Sequence, residues 1–174
     1  MLLVAFTIWM GTKSVAIFTV RVGQEAHRLV RAVLTQVEEE VRLIYHHSVE
    51  KSPVEGVFVI AEGPSLRIRE TRMASVGTGL PNTAAERTRR EGEWIVVDEG
   101  MKPLDDFSFR FMDLNRTQLM VADNAILLEG LRSGSALYFN VESIRRFRWW
   151  LWRVAGIDWR PLYREQDAAT EKSR

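Results

Sequence analysis

Short stretches in which apolar and polar residues alternate dominate the chain from residue 14 to about residue 144. Alternation with a period of two is typical of a β-strand that buries one face, and no part of this stretch sustains a helical period. Phe107, Phe109 and Phe111, for example, are separated by polar residues. About eight or nine strands at this spacing predict an all-β fold, a small sandwich or barrel.

Three regions show what the alternation predicts and where it is absent. Residues 54–61 and 66–73 form a predicted hairpin around the turn Glu62-Gly63-Pro64-Ser65. Residues 82–93 carry no apolar period, so we expect a surface loop there. In residues 41–50 the alternation places His47 on an apolar face with Val41, Leu43, Tyr45 and Val49, and His46 on the polar face with Ser48 and Glu50.

The N-terminus is strongly apolar. Residues 1–10 read MLLVAFTIWM, and a second apolar run covers residues 15–20. One helix over residues 1–20 is long enough to cross a bilayer, although Lys13 would then cost about 2.5 to 3.5 kcal/mol. Alternatively, residues 1–13 are a short anchor or signal and the first strand begins at Ser14, which the β-branched content of SVAIFTVRV favours. Of these outcomes, we expect a membrane-associated N-terminus.

The C-terminal region has a different composition. Residues 144–159, IRRFRWWLWRVAGIDW, hold four of the six Trp. On a helix this segment would be amphipathic, and Trp beside Arg is typical of the headgroup layer of a membrane. The predicted interface residues are Phe147, Trp149, Trp150 and Trp152. A terminal element packed on the domain's own core is the alternative. The chain thus divides into an anchor or signal (1–13), a β domain (14–144), a membrane-interface segment (145–163) and a disordered tail (164–174).

Composition excludes several classes of protein. The chain has no Cys, which excludes disulfides, thiolate zinc sites and cysteine nucleophiles. Lys plus Arg total 24 against 23 Asp plus Glu, and a net charge of +1 provides no strong field for nucleic acid. Only three His are present, so a poly-His metal site is not expected. We expect no cofactor, no metal and no nucleic-acid partner.

The run His46-His47-Ser48-Val49-Glu50 is the main candidate for chemistry. His46, Ser48 and Glu50 are the residue types of a nucleophile, its base and an orienting acid, yet no GxSxG elbow or oxyanion glycine accompanies them. A metal site would require Glu55 and a further loop. Two other hypotheses remain open: a structural polar cluster, and a surface that recognises a ligand or partner.

Three ordered motifs indicate a family. Residues 45–55 (YHHSVEKSPVE), 70–72 (ETR) and 75–81 (SVGTGLP) resemble the pattern Y-x-HSVE-x-xPVEE, ETR, S-x-GxGLP of the bacterial domain of unknown function numbered 1850. This chain departs from the pattern at Gly56, where a second Glu is usual, and in its long Trp- and Arg-rich extension. The resemblance implies a small extracytoplasmic protein with a hydrophobic N-terminus that accompanies TAXI-type TRAP transporters, which take up organic acids.

The sequence and the resemblance together suggest a non-enzymatic accessory subunit of such a transporter. Its expected partners are the transporter's membrane subunit and the bacterial inner membrane, with the solute-binding protein as a further candidate. The β domain is expected on the periplasmic or extracytoplasmic side. An extracytoplasmic hydrolase or metal-dependent enzyme built on His46, Ser48 and Glu50 is the alternative. The expected ligand- or partner-binding residues are His47, Ser48, Glu50, Glu55, Arg72, Gly77 and Gly79.

Overall fold

A computed structural model describes residues 14–23, 28–74, 87–105, 107–122 and 124–154 of the 174-residue chain. The predicted N-terminal anchor (1–13), the glycines Gly77 and Gly79, and the predicted tail (164–174) lie outside the described residues. Within the described part, eleven strands and one nine-residue α-helix, α1 (Arg146–Val154), form the regular structure together with one short 3-10 turn.

The strands build two antiparallel sheets. The four-stranded sheet has the order β2-β1-β11-β8, with bounds β1 (Ser14–Val22), β2 (Arg28–Thr35), β8 (Ser108–Arg110) and β11 (Ala136–Arg145). The seven-stranded sheet has the order β10-β9-β3-β4-β5-β7-β6, with bounds β3 (Glu40–His46), β4 (Pro53–Ala61), β5 (Ser65–Met73), β6 (Thr88–Glu91), β7 (Trp94–Pro103), β9 (Gln118–Val121) and β10 (Asn124–Ile126). The prediction of an all-β, sandwich-like fold is confirmed.

A hydrophobic core draws buried side chains from both sheets. Aromatic rings connect the two layers: the Phe107 ring lies 5.2 Å from Phe58 of the seven-stranded sheet and 5.6 Å from Phe139 of the four-stranded sheet. Phe139 in turn contacts Phe18 at 5.9 Å. Because tilted aromatic pairs add to the free energy gained from burial, this row of rings fixes how the sheets face each other. Fully buried core residues include Phe18, Val20, Val41, Ile60 and Leu137.

Two sequence predictions are corrected. Residues 82–93 are not a loop throughout, because Thr88–Glu91 forms β6 at the edge of the large sheet. The sequence of β6, TRRE, has no apolar residue, as is common for charged edge strands. Because apolar and polar residues do not alternate there, the sequence pattern did not reveal the strand. The third strand ends at His46, so residues 47–50 belong to a turn and the strand predicted over 41–50 is too long. The predicted hairpin of residues 54–73 is confirmed by β4 and β5.

The strand register defines two ends of the domain. Ser14, where β1 begins, lies opposite Arg145, where β11 ends and α1 follows. β2 ends at Thr35 beside Ala16, and the turn after it leads directly into Glu40. These residues define the base of the domain. β3 then runs away from the base, and its seven residues place His46 about 20 Å from it.

The helix α1 is short. It continues directly from β11, and its nine residues span about 13 Å. Among the described residues, none of the helical segments has the length and hydropathy needed to pass through a bilayer.

Candidate functional site

The turn between β3 and β4 carries the His-Ser-Val-Glu motif at the end of the domain opposite the base. We call residues 47–52 the HSVE turn. Its backbone closes through two hydrogen bonds, from His47 N–H to Ser52 O (2.9 Å) and from Lys51 N–H to His47 O (2.9 Å). The Glu50 N–H also donates to His47 Nδ1 (3.3 Å). These hydrogen bonds define the shape of the turn. Lys51 reverses the chain direction with a left-handed backbone conformation, at φ 54°.

The positions of the motif side chains differ from the sequence prediction. Because β3 ends at His46, His47 does not continue the alternation of the strand and is half-buried in the turn, and Val49 is 72% exposed. Ser48 and Glu50 are exposed as well. In the sequence, apolar and polar residues go on alternating beyond the end of β3. In the structure, residues 47–50 belong to a hydrogen-bonded turn, so this alternation no longer determines which way their side chains point. His47 therefore anchors the turn, while Ser48, Val49 and Glu50 face solvent.

The enzymatic alternative requires contacts among His46, Ser48 and Glu50. In the described part of the chain no hydrogen bond joins His46 to Ser48 or Glu50, and His46 Nδ1 is buried without a hydrogen-bond partner. The described residues also contain no group of three or more His, Asp or Glu that could hold a metal ion. His46 and Arg42 lie on the same face of β3, and on neighbouring strands of the seven-stranded sheet this face carries further charged residues.

The first and second family motifs, residues 45–55 and 70–72, meet on this face. Glu55 of the PVE motif lies directly opposite Arg72 of the ETR motif on the neighbouring strands β4 and β5. Directly opposed residues of an antiparallel pair have close Cβ atoms, so opposite charges there favour this register. Glu55 is 9% exposed, and its carboxylate also lies 3.7 Å from Arg42 of β3.

Glu70 is the most strongly bonded carboxylate of the face. Arg72 Nη2 lies 2.6 Å from Glu70 Oε1, and Arg89 Nη2 lies 2.8 Å from Glu70 Oε2. Burial of the carboxyl group would raise the pKa of Glu70, but the hydrogen bonds from Arg89 and Arg72 outweigh it and hold the pKa below its ordinary value of 4.5. Glu70 therefore remains ionised at neutral pH, although it is only 6% exposed.

Together these residues form a row of alternating charge across four strands, which we call the charged ladder. Its members are Arg42, Glu55, Arg72, Glu70, Arg89 and Glu91. Three positive and three negative charges compensate each other. The ladder consequently stabilises the register of the sheet, and Arg72 is engaged by carboxylates of its own chain. Sequence analysis selected Glu55 and Arg72 but missed Arg42, Glu70 and Arg89 as members.

Gly56 explains the departure from the family pattern. It lies opposite Leu43 on the core side of β4, and an added Cβ would come within 2.9 Å of the Phe58 ring. A Glu at this position would point a charge at the packed Phe58, so this chain has no room for the second acid. Beyond the end of β5, Ala74 N–H donates to Pro53 O (3.2 Å).

The aromatic segment lies at the base. Phe147 and Trp150 stack with ring centroids 6.2 Å apart, and they are 41% and 45% exposed. Trp149 is half-buried, and the side chain of Trp152 lies outside the described part. Exposed Arg145, Arg146 and Arg148 alternate with these aromatic residues.

Comparison with protein families matches residues 41–128, just over half of the chain, to the Domain of unknown function (DUF1850). The match spans the HSVE turn, the charged ladder and the sequence motif SVGTGLP at residues 75–81. Comparisons with curated proteins and with solved structures find no match. The chain, whose YHHSVEKSPVE and ETR motifs lie on neighbouring strands of one sheet and the turn before them, belongs to the DUF1850 family.

Proposed function

We propose that this protein is a non-enzymatic, membrane-associated accessory subunit of a TAXI-type TRAP transporter for organic acids. The observation that carries the proposal is the pairing of Ser14 with Arg145. The apolar segment 1–13 precedes Ser14, and the Trp- and Arg-rich segment follows Arg145. The two segments whose composition fits a membrane are therefore attached side by side at the base of the domain.

This attachment orients the domain. With the base at the membrane, the HSVE turn lies at the far end of β3, about 20 Å away. Such a tether raises the effective concentration of the turn near the transporter. Ser48, Val49 and Glu50 offer an exposed surface on a hydrogen-bonded turn, and a preorganised turn binds without losing much conformational entropy. The transporter and organic-acid assignment comes from the family resemblance, and the exposure of the HSVE turn supports its role as the docking surface.

A site-specific photocrosslinker at Val49, in the full chain expressed with the transporter subunits, tests docking. We expect crosslinks to the solute-binding protein or the membrane subunit. The matched control is a crosslinker at Val37, which is 45% exposed in the turn at the base. Equal labelling from both positions, or no labelling at Val49 together with normal uptake after gene deletion, would refute the docking role.

The membrane contact needs a separate measurement. Phe147→Ser combined with Trp150→Ser removes the exposed stacked pair, and we expect the full chain to be extracted from washed membranes under milder conditions than the wild type. Leu114→Ser is the control, because Leu114 is 83% exposed and lies in the connection to the distal end of β9. If both changes alter extraction equally, the aromatic segment has no special membrane role.

A further inference from the structure

A groove of about 510 Å³ opens at the edge of the large sheet, at the same end of the domain as the HSVE turn. Its walls are the segment 113–118 that leads into β9 and the segment 125–131 that begins in β10. Since β9 starts opposite Ile44, close to the end of β3, the groove lies far from the base. Neither the HSVE turn nor the charged ladder contributes to it. We call it the distal groove.

Three charged side chains line the distal groove without partners. Arg116, Asp113 and Glu129 are all exposed, and within the described residues none of these side chains forms a hydrogen bond or ion pair. Arg116 also has a left-handed backbone, at φ 47° and ψ 45°, which is uncommon for a residue other than glycine. The groove thus presents one guanidinium and two carboxylates that no other described side chain engages.

The floor of the groove is apolar. It is formed by buried side chains of the core, among them Leu119, Ile126 and Leu128. A concave, mostly apolar surface with a few polar groups is the usual form of a small-molecule site. Leu127, at the wall, is 58% exposed and extends this apolar surface.

One atom in the wall has an unmet hydrogen bond. Thr117 Oγ1 is buried and has no hydrogen-bond partner. Buried polar atoms are almost always hydrogen-bonded, so an orphan in the wall of a groove indicates that something else completes the site. A change of the Thr117 χ1 rotamer would redirect this hydroxyl, and a ligand could then pair with it.

We infer that the distal groove binds a free α-amino acid with an apolar side chain. Arg116 matches the ligand's carboxylate, since a guanidinium pairs with a carboxylate through two parallel N–H donors. Asp113 and Glu129 match the ligand's ammonium group, and the apolar floor accommodates its side chain. A simple anion would be repelled by the two carboxylates, and a simple amine by Arg116. A zwitterion complements both signs of charge.

Titration calorimetry on the full chain with L-leucine and L-phenylalanine tests this inference. Each matched analogue removes one feature: 4-methylpentanoate lacks the ammonium group, 3-methylbutylamine lacks the carboxylate, and glycine lacks the side chain. We expect each loss of a charge to weaken binding by about 10- to 100-fold, because hydrogen bonds to charged groups contribute on this scale. Equal binding of leucine and 4-methylpentanoate, or no binding of either amino acid, overturns the inference.

Two variants locate the binding. Arg116→Gln should weaken leucine binding by at least about tenfold, and Thr117→Val should weaken it to a lesser extent. Arg90→Gln is the control, because Arg90 is an exposed arginine of β6 outside the groove, where it donates to Gly92 O. If Arg116→Gln and Arg90→Gln bind leucine as the wild type does, the ligand lies elsewhere and the assignment to this groove is wrong.

Discussion

Glu70 and Arg89 meet across an intervening strand: Arg89 Nη2 lies 2.8 Å from Glu70 Oε2, although β7 separates β5 from β6 in the sheet. Val96 of β7 lies opposite both Arg72 and Arg89 and is fully buried. Long arginine stems can cover apolar surface while their charged ends bind elsewhere. The ladder therefore helps to shield from water Val96, which does not belong to the core cluster between the two sheets.

Glu70→Gln tests the contribution of the ladder to stability. The amide keeps the size of the carboxyl group but removes the charge that Arg72 and Arg89 share. Hydrogen bonds to charged groups are stronger than neutral ones, so we expect the free energy of unfolding to fall by about 1 to 3 kcal/mol in urea titrations. Glu62→Gln, in the exposed β4–β5 turn, should change it by less than about 0.5 kcal/mol. Similar effects of the two changes would mean that the ladder adds no stability.

The lowered pKa of Glu70 predicts a particular dependence on pH. Because its pKa is below 4.5 in the folded protein, the folded state binds the proton less readily than the unfolded state. The stabilisation is complete above about pH 4.5 and is lost as the pH falls through the folded pKa. We expect wild type to lose stability below pH 4.5 more steeply than Glu70→Gln, measured as unfolding free energy at a series of pH values.

Glu39 also has a lowered pKa in the folded protein, so it too should make the protein less stable at low pH. Burial would raise the pKa of Glu39, but hydrogen bonds from Thr35 and Gln36 lower it. The Glu70→Gln variant should therefore keep part of the acid dependence. Complete loss of the dependence in that variant would assign the whole effect to Glu70 and contradict this role of Glu39.

The sequence predicts a strand well when one face of the strand is apolar and the other is polar. β3 and β9 bury one face each, and their alternation is visible in the sequence. β6 has no apolar residue, so only its pairing with β7 reveals it. The contact of Glu70 with Arg89 depends on the sheet order β5-β7-β6, which residue spacing does not contain. The hydrogen bonds of the HSVE turn likewise could not be predicted from the alternation of apolar and polar residues.

Gly56→Ala tests the close approach of Phe58 to the β4 backbone. The new methyl group would lie 2.9 Å from Phe58 Cζ, and the ring is 2% exposed and contacts Phe107. Overpacking of this kind costs about 1 to 3 kcal/mol of unfolding free energy. Phe58→Leu removes the clashing ring atoms, so the double variant should be more stable than the sum of the single effects predicts, by about 0.5 to 2 kcal/mol. Strict additivity would show that the ring moves aside freely.

Thr117→Val should make the protein more stable, which is unusual for a change inside a folded domain. The Thr117 hydroxyl is buried without a partner, and Val keeps its shape while removing the unsatisfied oxygen. We expect the free energy of unfolding to rise by about 1 kcal/mol, measured in the absence of amino acids. Thr19→Val is the matched control, because the buried Thr19 hydroxyl lies 3.3 Å from Asn140 O and 3.2 Å from Glu142 Oε1. That change breaks existing bonds and should cost about 1 kcal/mol. Equal destabilisation by both changes would mean that the Thr117 hydroxyl is hydrogen-bonded in solution, and its orphan state would then no longer support a ligand in the distal groove.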